Sequence, residues 1–210
     1  MIVIINPNAT ASMTDAMVET ARKSVPGVDV VGWTSTKGPP AIQGEQDGQA
    51  AVPPLLELVK EADEAGAKAI IIGCFDDTGL DAARALASCP VIGIGQAAYH
   101  LASLYGARFS VVTTLDVSVP VLTANIGNYG LKQNLGRVRA SGVPVLDLED
   151  DRENATHRVK MEIRAALDED YIDSVVLGCA GMVHIVDDAD DLSIKLIDGV
   201  HAAVKLAATF

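Results

Sequence analysis

Two short stretches constrain this chain more than any other feature. Ala69-Ile-Ile-Ile-Gly-Cys74 and Ser174-Val-Val-Leu-Gly-Cys179 are both aliphatic runs that close on Gly-Cys, and their cysteines stand 105 residues apart. A run of four to six aliphatic and β-branched residues ended by Gly reads as a buried parallel strand. Each cysteine then falls where a strand gives way to a loop, the sheet edge at which α/β proteins bind ligands. The same offset relates Pro90-Val-Ile-Gly-Ile-Gly-Gln-Ala-Ala98 to Lys195-Leu-Ile-Asp-Gly-Val-His-Ala-Ala203. Ile2-Val-Ile-Ile-Asn6 resembles Phe109-Ser-Val-Val-Thr113, with Ile4 against Val111 at an offset of 107. Three segments repeated in one order point to a duplication. Two like lobes would then present two like strand ends, each with a cysteine, across one cleft.

The bulk properties narrow the partners. At 210 residues the chain suffices for one large domain or two small ones, and 49% hydrophobic residues provide a sizeable core. Aromatic residues are only 4%, so that core is built from Val, Ile, Leu and Ala. A formal net charge of −12 disfavours nucleic acid and anionic membranes, which require basic surfaces. The chain opens on a strand rather than a secretory leader, and no apolar run approaches the ~20 residues of a membrane span. Three cysteines without a disulfide-framework spacing fit a reducing compartment, so a cytoplasmic location is expected.

Strands alternate with helices along the chain. Strands are predicted over 1–5, 28–33, 67–73, 91–94, 108–113, 174–178 and 194–197, with Val138 and Val145-Leu146 in a further strand region. Helices are predicted to start after Ser12, over 49–66 with Pro53-Pro54 in the first turn, and over 80–87. Others are expected from Gly95 to about Tyr105 and over 116–128, 153–168 and 199–208. The aperiodic stretch from Thr34 to Gln49 is long enough to be a functional loop, a lid or a pocket wall. This pattern predicts an α/β fold of two similar, Rossmann-like lobes with parallel sheets, related by a pseudo-two-fold, with the active site between them. The lobes are expected over 1–98 and 99–198, with the last helix, 199–210, packing back on the first.

A cysteine at a strand end can face the amino end of the next helix, which would lower its thiol pKa from the usual ~8.5. One thiolate can take a proton from carbon while a thiol opposite returns one, inverting a stereocentre without a cofactor. A carbon held beside a carbonyl in an imide or ureide ring is acidic enough for this. Asn6, Asn8, Thr113 and Thr114, at the ends of the first strands of the lobes, are candidate donors to the developing enolate oxygen.

Asn6-Pro-Asn8 with Met13-Thr14, Gly73-Cys-Phe-Asp76, Gly79-Leu-Asp-Ala-Ala83, Phe109-Ser-Val-Val-Thr-Thr-Leu-Asp116 and Leu177-Gly-Cys-Ala-Gly-Met182 resemble the aspartate/glutamate/hydantoin racemase superfamily. The match is to its hydantoin and allantoin racemase branch and covers nearly the whole chain. The resemblance implies cofactor-independent racemisation of a small ureide by Cys74 and Cys179, with no metal. It implies a substrate held by Asn6, Asn8, Ile42, Phe75, Thr113, Thr114, Ala180 and Gly181, and a homo-oligomer of two to six subunits. Amino acid racemases of the superfamily usually carry Asn-Thr and Thr-His after their cysteines; Phe75-Asp76 and Ala180-Gly181 argue instead for a neutral ring. Two departures from the branch stand out. Its usual Gly-Asp-Pro-Gly-Leu reads Asp76-Asp77-Thr78-Gly79-Leu80 here, and the stretch after Met182 is acidic at Asp187, Asp188, Asp190 and Asp191.

Other readings compete. Within the same fold, a decarboxylase of arylmalonate type would want one cysteine, and a maleate isomerase would want polar groups for two carboxylates. A cysteine hydrolase needs a histidine by the sulfur, and His184 is the candidate; His100, His157 and His201 have no evident link. A non-catalytic ureide-binding protein would leave the thiols inert. Cys89 reads as structural, and Asp76-Asp77 as a cap on the helix at Leu80. Gly93-Ile-Gly95 hints weakly at a dinucleotide loop but lacks the third glycine. No zinc-ligand spacing occurs.

Overall fold

The computed structural model describes residues 1–186 and 191–210. Three acidic positions singled out above, Asp187, Asp188 and Asp190, lie outside the described residues.

The chain runs β1 (Ile2–Asn6), α1 (Ala11–Ser24), β2 (Val30–Thr34), α2 (Glu45–Glu64), β3 (Ala69–Ile72), α3 (Leu80–Leu86), β4 (Val91–Gly93) and α4 (Ile94–Tyr105). It continues with β5 (Phe109–Thr113), α5 (Val119–Asn128), β6 (Leu135–Ala140), the short α6 (Asp147–Asp150), α7 (Arg152–Glu169), β7 (Ser174–Leu177), β8 (Lys195–Asp198) and α8 (Gly199–Ala207). The strands form two four-stranded sheets, ordered β2-β1-β3-β4 and β6-β5-β7-β8. Every pairing is parallel. The two sheets therefore share one topology, as the internal repeat predicts.

The central strands are apolar throughout because both faces are covered. In the first sheet Ile4 and Ile71 face a core that continues through α4 and α8 to Val111 and Val176 of the second. Val3, Ile5, Ile70 and Ile72 face the opposite way, onto Leu55 and Val59 of α2 and Leu80 of α3. Val112, Val175 and Leu177 pack likewise on Val159 and Ile163 of α7. The last helix, α8, packs against α1 and α4 and touches strands of both sheets. None of the described helices is long and apolar enough to cross a membrane.

Two elements depart from the sequence reading. Helix α2 starts at Glu45, four residues before the expected Gln49, so Pro53 and Pro54 lie inside it rather than in its first turn. Gly44, at φ +106°, supplies the left-handed turn that launches it, and the Asp47 carboxylate accepts the N–H of Gln43 at 2.9 Å. The two prolines forgo backbone donors that an earlier start would otherwise use in the third turn. Val138 lies in β6 as expected, but Val145 and Leu146 do not extend a strand. They sit in the turn before α6, packed on Met13 and Ala41.

Candidate active site

Equivalent backbone geometry delivers the two cysteines. The Gly73 N–H extends the β1–β3 ladder to Ile5 O at 2.8 Å, and the Gly178 N–H extends the β5–β7 ladder to Val112 O, also at 2.8 Å. Each ladder ends one residue before a cysteine. A Cβ on Gly73 would press on the Met17 side chain, and one on Gly178 on Thr113, so the missing side chains let the cysteine loops lie close against their neighbours. Cys74 and Cys179 then line the same narrow cleft, whose cavity volume is about 40 Å³. Both cysteines are free, and each residue is half-buried. Each accepts a hydrogen bond from the backbone N–H two residues ahead, Cys74 from Asp76 and Cys179 from Gly181. Thr78 Oγ1 lies a further 3.3 Å from the Cys74 sulfur.

The acidity of these thiols differs from the expectation. Burial, reinforced by the negative charge of Asp76, pushes Cys74 well above the usual thiol range and Cys179 up to about 12. The backbone donors and Thr78 oppose the shift without reversing it. The reason is local: β3 gives way to a loop, and α3 begins only at Leu80, so the amino end of the next helix does not follow directly on Cys74. Cys179 opens only a short 3-10 turn, Ala180–Ile185.

The remaining predicted residues separate into groups. Asn8, Ile42, Thr114, Ala180 and Gly181 line the cleft with the sulfurs. Asn6 also borders it but is fully buried, and its amide is committed to Asn8, Thr10 and Thr14. It also accepts the Asn8 N–H, so it braces the loop after β1. Asn8 Nδ2 meets only the sulfur of Met13, at 3.6 Å, a weak contact that leaves this amide the more available donor. Phe75 contributes to the wall, while its ring sits edge-on to Tyr99, 5.5 Å between centroids, in the core beneath. Thr113 does not reach the cleft. Its hydroxyl donates to Gly178 O at 3.1 Å and holds the second cysteine loop.

Several cleft residues escaped the sequence reading. Met13 and Met17 reach it from α1, Ser118 from the turn before α5, and Val145 from the turn before α6. Met13 and Met17 stand four residues apart on one helix face, a pattern indistinguishable from core packing. Ile42 comes from residues 35–44, the part of the Thr34–Gln49 stretch, read as lid or pocket wall, that lies between β2 and α2. That stretch reaches across to the second half, where Gln43 Oε1 accepts the Val145 N–H at 3.0 Å.

The hydrolase, helix-cap and dinucleotide-loop readings lose their structural basis. His184 faces Thr156 at 3.2 Å and borders a separate surface cavity with Glu149 and Arg152, not the cysteine cleft. Asp77 does not cap the helix at Leu80. Its carboxylate instead accepts the N–H groups of Gly95 (3.0 Å) and Gln96 (2.8 Å), capping α4 from across the sheet edge. A Cβ on Gly93 would come within 2.1 Å of that carboxylate, and one on Gly95 within 2.9 Å. The Gly-Ile-Gly motif is thus a slot for Asp77 rather than a dinucleotide loop. Cys89 sits in the turn after α3, its N–H held by Asp63. Among the described residues no group of three or more His, Cys, Asp or Glu side chains could hold a metal ion.

Residues 2–207 match the Asp/Glu/hydantoin racemase family. The chain belongs to this family. It is 42% identical over 208 residues to the hydantoin racemase of Rhizobium meliloti, covering 97% of this chain and 86% of the relative. Among solved structures, the allantoin racemase from Klebsiella pneumoniae superposes with a TM-score of 0.95 at 37% identity, covering 99% of this chain and 86% of that one. A glutamate racemase from Bacillus anthracis, 15% identical over 100% of this chain and 80% of its own, shares the fold at a TM-score of 0.76. Family membership therefore agrees with the resemblance drawn from the cysteine motifs.

Proposed function

We propose that this chain racemises a 5-substituted hydantoin or allantoin without a cofactor, using Cys74 and Cys179 as the two proton-transfer groups. One observation carries the reading: two sulfurs, delivered from equivalent strand ends of two like sheets, line one cleft. The similarity to relatives named hydantoin racemase and allantoin racemase supports the substrate class.

The substrate C5–H lies beside a ring carbonyl, so its removal leaves a planar enolate. In the proposed reaction one sulfur, as thiolate, takes this proton from one face. The other, as thiol, delivers a proton to the opposite face, and the enolate electron pair returns to carbon. The sulfurs end with exchanged protonation states, and the reverse reaction uses them in reversed roles. The raised thiol pKa values suit this task. A thiolate formed where solvation is poor is a stronger base than an exposed cysteine, closer in proton affinity to a carbon acid. The N–H groups of Asp76 and Gly181 steady whichever sulfur is charged. Asn8 and Thr114, which line the cleft, are the proposed donors to the enolate oxygen, where one lost donor costs about 3 kcal/mol of barrier.

The test is circular dichroism of single enantiomers of allantoin and of 5-substituted hydantoins in D₂O. The wild type is expected to racemise substrate and incorporate deuterium at C5. Cys74→Ala and Cys179→Ala should each abolish racemisation while leaving single-sided exchange of one enantiomer. Full racemisation by either variant rules out the two-sulfur reaction.

A further inference from the structure

The side chain of Asp76 has no assigned part in the proton transfer, yet Asp76 borders the cleft that holds both sulfurs. The negative charge of its carboxylate raises the pKa of both cysteines. Among the described residues that carboxylate has no hydrogen-bond or ion-pair partner. Its backbone, by contrast, is fixed: the carbonyl accepts Asn125 Nδ2 at 2.9 Å, and the N–H serves the Cys74 sulfur. A half-buried carboxylate without a partner at the edge of two spaces is open to pairing with a ligand cation.

Asp76 also borders a second, larger cavity of about 580 Å³. Val52, Val117, Pro120 and Val121 give this cavity an apolar wall, and Glu45 adds a further carboxylate. The two spaces adjoin at Asp76, and the neighbours Val117 and Ser118 line one each. The cleft proper, at about 40 Å³, has room for roughly three waters by volume and none for a substituent on a bound ring. A substituent pointing away from the sulfurs has the second cavity as its adjacent space. There an alkyl stem meets valines and a proline, and a terminal cation has the carboxylates of Asp76 and Glu45 on the same lining. Among the described residues no lysine or arginine lines either space to compete for them.

We propose that Asp76, with the cavity beyond it, selects ring substrates whose substituent is an alkyl stem ending in a cationic nitrogen, an ammonium or a guanidinium. The inference rests on the ureide-racemase reading for the ring and adds the class of substituent. Asp76 is here a specificity-determining residue.

The experiment compares 5-(4-aminobutyl)hydantoin with its neutral isostere 5-pentylhydantoin, in wild type and Asp76→Asn, by kcat/KM for racemisation and by calorimetric Kd. Wild type should favour the amine on the order of tenfold, as a paired, desolvated charge gives, and Asp76→Asn should bring the ratio near one. The ratio cancels any general effect of the variant on the thiols. A wild-type ratio near one, or a ratio unchanged in Asp76→Asn, overturns the proposal. If neither compound is racemised but the amine binds about tenfold tighter in an Asp76-dependent way, the selectivity stands and the reaction fails. If both are racemised without preference, the reaction stands and the selectivity fails.

Discussion

The carboxylate of Asp77 accepts the phenolic hydrogen of Tyr129 at 2.8 Å, joining the loop after β3 to the residue that ends α5. With the two bonds to the start of α4, this one side chain ties together three elements beneath the cleft. Asp77→Ala removes a helix cap and leaves Tyr129 without its acceptor. We expect about 2–4 kcal/mol of destabilisation in urea unfolding, and about 1 kcal/mol for Tyr129→Phe. Values within about 0.5 kcal/mol of wild type for both variants would show that the brace contributes little.

Asp76 and Asp77 give stability a pH dependence of unusual sign. Burial pushes Asp76 up to about 6 and Asp77 up to about 7, the latter despite its hydrogen bonds from Tyr129, Gln96 and Gly95. A carboxyl whose pKa is raised by folding makes the folded state bind the extra proton. Its stabilising contribution is full below about pH 4 and is lost as pH rises through the folded value. Asp76→Asn removes the part that titrates near 6, so this variant should gain stability relative to wild type between pH 4.5 and pH 7. A pH-independent difference, measured by denaturant unfolding at each pH, would contradict the assignment.

The same substitution bears on the thiols. Because the charge of Asp76 raises both Cys74 and Cys179, Asp76→Asn should lower both thiol pKa values. Iodoacetamide should then alkylate the two cleft cysteines faster at pH 8, read by peptide mass spectrometry. Cys89, whose neighbouring charge is Asp63, serves as the internal control and should not change. Equal rates at Cys74 and Cys179 in variant and wild type would place the carboxylate out of range of the sulfurs.

A buried ion pair holds the second half. Arg139 Nε and Nη2 donate to the two Asp170 carboxylate oxygens, both at 2.7 Å, and Ser110 donates to the same carboxylate. Burial alone would raise Asp170, but Arg139 and Ser110 hold it below the ordinary carboxylate range. Arg139→Ala leaves that carboxylate only Ser110 and the more distant, exposed Arg137, and should cost about 3 kcal/mol, the lower end for a broken buried pair. Since the Asp170 pKa is depressed, its contribution is present above about pH 4 and is lost as pH falls through the folded value. The difference between wild type and Arg139→Ala should therefore shrink toward acid pH in chemical denaturation.

The two glycines before the sulfurs should not respond alike. An added Cβ at Gly73 meets the Met17 Sδ at 2.8 Å, the end of a flexible side chain, whereas one at Gly178 meets the Thr113 Cα at 3.0 Å and Cβ at 2.9 Å, which cannot swing away. Gly178→Ala should destabilise by about 1–3 kcal/mol, as overpacking does, and Gly73→Ala by less. Thermal unfolding of the two variants gives the order, and the reverse order would mean that Met17 is the more rigid neighbour.

The chain announces its architecture because the repeat and the strand patterns are local signals. Aliphatic runs closing on Gly-Cys fix strands whose partners are equivalent in both halves, and Cys74 and Cys179 follow from them. What was illegible depends on contacts between distant segments. Nothing near Asp77 reveals that it caps a helix 18 residues on, and nothing near Thr113 reveals that Gly178 O takes its hydroxyl. Thiol acidity is not legible because nothing local shows that a loop, rather than a helix amino end, follows Cys74. The early start of α2 was hidden by Pro53-Pro54, which usually mark a first turn.

The residues that supply N–H groups to the two sulfurs, Asp76 and Gly181, are counterparts in the two halves, yet one carries a carboxylate and the other nothing. Left and right walls of the cleft are thus alike in backbone and unlike in decoration. A molecule and its mirror image, turned to offer the same hydrogen to opposite walls, would find the same scaffold but different company. Any discrimination between hands must come from such additions rather than from the duplicated frame.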